Sequence, residues 1–216
     1  MEKHAHVVIG VSGGIDSLVL LHLLQMFNRR YRPNLHLTAV HIDPGFPGAN
    51  IEGLKQKLEM TETDHIVVSV DIRRRISKST NKCFACARER HRRLIETAEN
   101  LDTFNIALAH HQDDVVETLL LNMFYAGRLS TLMPRQPVVQ GRFSIIRPLY
   151  YLSKTEVKAI ADTAGIRAFS APCPYYKNSR REKIRSMLHD LKQKNPDVSG
   201  NIFHSIFNVR RQYLPQ

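Results

Sequence analysis

Short apolar runs alternate with longer amphipathic segments along the first 150 residues of this 216-residue chain. The runs at 6–11, 36–42, 66–70 and 105–109 show no polar alternation, the pattern of strands covered on both faces, and 144–147 reads as a shorter fifth. Between them the spacing predicts helices at 17–27, 51–60, 86–100 and 113–125. Alternation of this kind implies βαβ units, hence an α/β fold with an open parallel sheet and helices on both faces.

After residue 150 the strand signals stop. Ser153-Lys154-Thr155-Glu156 and Ser179-Arg180-Arg181-Glu182 both fit a capping box, in which hydroxyl and carboxylate each satisfy an orphan N–H. Helices are expected at 154–164, ended by Gly165, at 180–194, ended near Pro196, and at 201–211. The chain therefore divides into a principal domain at 1–150 and a helical C-terminal region at 151–216. The stretches 127–142 and 167–178 read as irregular, and long loops of that kind suit substrate contacts.

Composition adds a packed globular class, with 43% apolar and 24% charged residues. No apolar run approaches the roughly 20 residues of a membrane helix, and the first residues lack the pattern of a signal peptide. A cytoplasmic protein without a membrane partner is expected. The formal net charge of +11 is clustered. Arg73, Arg74, Arg75, Lys78, Lys82, Arg88, Arg90, Arg92 and Arg93 form one group; Lys177, Arg180, Arg181, Lys183, Arg185, Lys192 and Lys194 form another. Such clusters are the footprint of a phosphate-rich partner, and they also fit a solvated basic face.

The first strand runs into Ser12-Gly13-Gly14-Ile15-Asp16-Ser17 and then an apolar helix. A strand, a glycine turn and a helix start make an anion site, because free N–H groups and the helix dipole meet the bound oxygens. The spacing is not that of a Walker P-loop. A plain turn capped by Asp16 or Ser17 is the simpler alternative. A second string, Ala109-His110-His111-Gln112-Asp113-Asp114, continues to Glu117 at a strand end. Its carboxylates suit either a helix dipole or Mg²⁺ beside phosphates. His41-Ile42-Asp43-Pro44-Gly45 ends the second strand in a turn signal.

The three cysteines are Cys83 and Cys86, in Cys-x-x-Cys, and Cys173 between Pro172 and Pro174. In a reducing compartment such a pair is read as metal-binding or redox-active. A closed zinc site completed by His91 or His110, and ordinary buried thiols, remain open alternatives.

The turn Ser12-Gly-Gly-x-Asp-Ser17 resembles the pyrophosphate loop of the N-type ATP pyrophosphatases, and His110-His-x-Asp-Asp114 resembles the signature of their tRNA-modifying branch. With Cys-x-x-Cys, Leu121-Asn-Met-Phe-Tyr-x-Gly127, Ile146-Arg-Pro-Leu149 and Pro-Cys-Pro in that order, nearly the whole chain is similar to the iron-sulfur tRNA thiolases of the 2-thiocytidine synthetase family.

The resemblance implies an ATP-dependent enzyme that adenylates the C2 oxygen of a cytidine or other pyrimidine in tRNA and replaces it with sulfur. It implies ATP contacts from Ser12, Gly13, Gly14, Asp16, Ser17, His41, Ala109, His110 and Asp114, and a [4Fe-4S] cluster on Cys83, Cys86 and Cys173. Asp16, Asp43, Arg90, Asp113, Asp114 and Cys173 become the candidate catalytic residues, with Mg²⁺ beside the phosphates. The implied partners are tRNA and a sulfur donor such as a cysteine desulfurase system or sulfide, and a homodimer is compatible with them.

Two departures stand out. Ile15 occupies a position where thiolating members commonly carry lysine, and the zinc-finger cysteines of the 2-thiouridine branch are missing. A lysidine synthetase-like ligase, a sulfur enzyme acting on a small molecule and a non-catalytic zinc-dependent RNA-binding module are the competing classes.

Overall fold

The computed structural model describes residues 5–48, 50–61, 63–79, 81–169, 173, 175 and 179–213. Pro172, Pro174 and Lys177, named above, lie outside the described residues, as do residues 1–4. The strands are β1 (His6–Gly10), β2 (His36–Asp43), β3 (Asp64–Ser69), β4 (Asn105–Ala107), β5 (Arg135–Val138) and β6 (Phe143–Ile146). The helices are α1 (Ile15–Tyr31), α2 (Ile51–Glu59), α3 (Ile72–Ile76), α4 (Lys82–Asn100), α5 (Gln112–Ala126), α6 (Lys154–Thr163), α7 (Arg180–Lys194) and α8 (Val198–Ser205).

The six strands lie in the order β3-β2-β1-β4-β6-β5. Every pairing is parallel except β5 with β6. The α/β expectation holds, with one correction: 135–138 is a strand within a stretch read as irregular. Pro137 hides it from a strand pattern, but Pro is tolerated on an edge strand, where no further neighbour needs its N–H.

Successive β1 side chains point to opposite faces, and the core divides accordingly. Val7 and Ile9 pack with α1, α2 and α6 through Leu20, Leu54 and Val157. Val8 packs on the other face with α3 and α4 through Ile72, Ile76 and Leu94. A third cluster joins α5, α7 and α8 through Val116, Ile184, Leu188 and Phe203.

The helices differ from expectation in four places, the first being α1, which runs Ile15–Tyr31 and not 17–27. α4 begins at Lys82 and not at residue 86, because the Asn81 side chain accepts the Phe84 N–H at 3.1 Å and caps the helix earlier. α3 is an additional helix started by Asp71, which accepts the Arg74 N–H at 3.0 Å. The last helix runs Val198–Ser205 and not 201–211, with a 3₁₀ turn at Arg211–Tyr213. Among the described residues no helix is long and apolar enough to cross a membrane.

Candidate functional site

The strand order reverses at β1: β2 lies on one side and β4 on the other. In an open α/β sheet a crevice forms beyond the carboxyl ends of two such strands, and ligands bind there. The string 12–17 spans the loop after β1 and the start of α1, and 109–114 spans the loop after β4 and the start of α5, so topology alone brings the two strings together.

Gly13 has φ 80°, a left-handed conformation that a side chain would strain. The turn is closed by serines: the Ser12 N–H donates to Ser17 Oγ (3.1 Å), the Ser17 hydroxyl to Gly14 O (2.8 Å), and the Gly14 N–H to Ser12 Oγ (3.3 Å). Gly14 is the N-cap of α1 and supplies no side-chain acceptor, so neither Asp16 nor Ser17 acts as the cap. The first turn of α1 therefore keeps its donor character toward an anion.

Asp16 faces the second string. Its Oδ2 lies 3.7 Å from Nε2 of His111, and its Oδ1 receives Lys154 Nζ at 2.5 Å. Asp113 accepts the Lys154 backbone N–H (2.7 Å) and Lys192 Nζ (3.1 Å). Burial would raise its carboxyl, but these donors outweigh burial and hold it below the usual carboxylate range. Asp114 accepts the His111 N–H (3.1 Å) and meets Arg181 Nη1 at 3.3 Å. Glu117, buried, pairs with Arg181 (3.3 Å) and Arg185 (2.5 Å), and burial still pushes its carboxyl upward.

Three residues of the second basic stretch, Arg181, Arg185 and Lys192, thus fasten α7 to α5. In the first stretch, Arg75, Arg92 and Arg93 gather on Glu89. Part of the clustered charge serves the fold, a division that net charge cannot reveal.

Buried His41 donates Nδ1–H to Val11 O at 2.7 Å, since a carbonyl only accepts. Burial lowers its pKa, so the ring is neutral and Nε2 carries a lone pair. That atom is buried without a hydrogen-bond partner among the described residues. A buried acceptor left unpaired costs about 1–3 kcal/mol, which a ligand amine or hydroxyl would recover. Asp43, at the end of β2, accepts the Gly45 N–H at 2.9 Å and shapes the following turn. Ala109 packs against the first core cluster.

The revised start of α4 puts Cys83 and Cys86 three residues apart within its first two turns and on the same side. Burial raises both thiols, and Cys173 raises each of them further. Cys173 therefore acts electrostatically on both members of the pair despite its distance in sequence. The Cys83 thiol also donates to the Tyr175 carbonyl at 3.9 Å, with Lys82 Nζ over that ring at 4.8 Å. Arg90 acts on two groups: it lowers the pKa of Cys86 and that of His41.

Among the described residues, no group of three His, Cys, Asp or Glu side chains can hold a single metal ion. Lys154, Lys192, Arg181, Arg185 and Arg147 were not singled out as site residues by sequence reasoning. The capping box around Lys154, the Arg-Pro-Leu string at Arg147, and the second basic stretch with its own capping box at 179–182 marked their neighbourhoods.

The PP-loop domain family matches residues 1–191. The tRNA-cytidine(32) 2-sulfurtransferase of Syntrophotalea carbinolica is 32% identical, with 99% of this chain and 85% of that protein covered. The protein of the same name from Geobacter sulfurreducens is 33% identical, with 96% and 83% covered. Among solved structures, the U34-tRNA thiolase NcsA from Methanococcus maripaludis with its [4Fe-4S] cluster superposes with a TM-score of 0.78 at 22% identity, covering 99% of this chain and 74% of that one. At that identity the superposition speaks for the fold alone.

Proposed function

The chain belongs to the PP-loop domain family and, within it, to the tRNA-cytidine(32) 2-sulfurtransferases; from that premise we propose an ATP-dependent tRNA sulfurtransferase that replaces the C2 oxygen of a cytidine with sulfur. ATP would occupy the crevice beyond β1 and β4. Its phosphates would meet the donors of 12–17, including Ser12, Gly13, Gly14 and Ser17, and its adenosine would meet His41 Nε2. Ala109 and His110 would line the opposite wall.

The base oxygen attacks the α-phosphorus, the bond to the β-phosphate breaks, and pyrophosphate leaves. A sulfur nucleophile then adds at C2, and AMP departs with the former base oxygen. Adenylation turns a poor leaving oxygen into a good one, which divides one difficult step into two easier ones. Asp16 and Asp114 would share Mg²⁺ with the phosphate oxygens, in competition with Lys154 and Arg181. Asp113, held ionised by its donors, would keep the second string in place. Asp43 would polarise the reacting region, and Arg90 would meet phosphate charge as it develops.

Cys83, Cys86 and Cys173 would hold a [4Fe-4S] cluster, which when bound would offer sulfide a place on the iron that three thiolates leave open. The sulfide would come from a cysteine desulfurase system or from solution. Residues 1–150 would carry the nucleotide chemistry, and 151–216 the third cysteine and part of the tRNA surface, in a monomer or a homodimer.

The observation that carries the proposal is His41 Nε2, buried and without a hydrogen-bond partner among the described residues, on a ring fixed to the Val11 carbonyl at the start of the 12–17 turn. The test uses protein purified without oxygen and incubated with ATP, Mg²⁺, sulfide and tRNA. Nuclease digestion and mass spectrometry should find 2-thiocytidine, with pyrophosphate released in step. Asp16→Ala should abolish both. Pyrophosphate release that does not depend on tRNA, with no thiolated nucleoside, would overturn the reading.

A further inference from the structure

We propose that Lys154, at the start of α6, is the cation that contacts the ATP polyphosphate, delivered to the 12–17 turn from a different helix. The inference rests on the reading of that turn as the ATP site. The turn's only ionisable side chain is Asp16, a carboxylate, so the turn alone offers a polyphosphate backbone donors and one repelling charge. Ile15 is not available for the task, because it packs against the first core cluster.

Lys154 meets the need. Its Nζ lies 2.5 Å from Asp16 Oδ1, on the rim of the turn. Its backbone N–H is tied to Asp113 Oδ2 at 2.7 Å, so the start of α6 is anchored to the second string. The ammonium is thus brought between the two loops that form the crevice, while its side chain stays 50% exposed and open to a ligand.

Helix stability does not account for a lysine here. A positive charge in the first turn opposes the helix dipole. The capping box of Ser153 and Glu156 already satisfies the helix start without it. The pair with Asp16 is solvent-exposed, and exposed pairs contribute about 0–1 kcal/mol. Lys192 and Arg181, the neighbouring cations, meet Asp113 and Asp114 and not the turn. A bound polyphosphate would give the Lys154 ammonium a second anionic partner while Asp16 turns to Mg²⁺.

The experiment compares the full chain with Lys154→Met and Lys154→Arg by titration calorimetry with ATP and with AMP. Lys154→Met keeps the length and removes the charge, and should weaken ATP by roughly 10- to 100-fold, the range of one charge-assisted contact, with AMP within about twofold. Lys154→Arg should hold ATP within a few-fold of the parent. A Met variant that binds ATP like the parent, equal losses for ATP and AMP, or an Arg variant as weak as Met would each overturn the proposal. A parent chain that binds no ATP would instead overturn the assignment of the turn.

Discussion

Arg147 donates Nε–H to Nδ1 of His110 at 3.3 Å. The same guanidinium gives Nη1 to Met133 O (2.6 Å) and Nη2 to Gln136 Oε1 (3.0 Å), so one buried side chain joins the end of β4 to the edge strand β5. Burial lowers Arg147 to about 10. Because Nδ1 accepts, the His110 proton sits on Nε2, and burial brings the ring down to about 4. His110 therefore enters the crevice as a neutral ring in a fixed tautomer.

A pH prediction follows from that depression. An unfolded histidine titrates near 6.5, so below that pH the unfolded chain gains a proton that the folded chain refuses until about 4. The contribution is complete above pH 6.5 and is lost as pH falls toward 4. It amounts to roughly 3 kcal/mol across the window. His41 and His91, also lowered by burial, act in the same direction. Urea unfolding at pH 7.5 and pH 4.5 should show the loss, and His110→Gln should flatten part of it. An unchanged slope in that variant would mean that His110 titrates normally.

Arg185→Ala tests the fastening of the C-terminal helices. Glu117 is only 4% exposed and would keep Arg181 alone, at 3.3 Å. Removing one partner of a buried charge costs about 3–5 kcal/mol, and the exposure of Arg185 reduces that here to roughly 2 kcal/mol. For a chain of this size the melting temperature should fall by roughly 4–8 °C. A double variant with Glu117→Gln should recover part of the loss, since a neutral amide tolerates the missing cation better.

Cys173→Ser tests the proposed cluster. The anaerobic parent should carry about four iron and four sulfide per chain. The variant should lose most of both, fail to thiolate tRNA, and keep ATP and tRNA binding, because Cys173 lies outside the 12–17 turn. Metal analysis, nucleoside mass spectrometry and a thermal melt run together measure this. Normal thiolation by the folded variant would reduce Cys173 to a neighbour of the other two thiols.

Where sequence reading went wrong, a local signal was outweighed. Asn81 is a strong N-cap residue, and it starts α4 at Lys82, four residues before the 86 that apolar spacing predicts. The shift matters for the site, because it turns two cysteines at the edge of a loop into two on one helical side. Pro137 lowered the strand signal of 135–138, and only the pairing with β6 makes the stretch a strand. The simpler alternative of a cap by Asp16 or Ser17 is not met, since Gly14 takes that place after the turn at Gly13.

The sequence by itself determined the parallel α/β architecture, the glycine turn after β1 and the presence of three thiols, since each depends on local periodicity, backbone freedom or residue identity. Tertiary structure alone decided that Cys173 acts on the Cys83–Cys86 pair, that the His41 ring meets the Val11 carbonyl, and that Lys154 reaches Asp16. It also decided which cations meet carboxylates and which stay toward solvent. The physical reason is distance along the chain. Hydrophobic period and turn chemistry act over a few residues, whereas Lys154 and Asp16 are 138 positions apart and meet only after β1 and β4 pair side by side and bring the loops that follow them together.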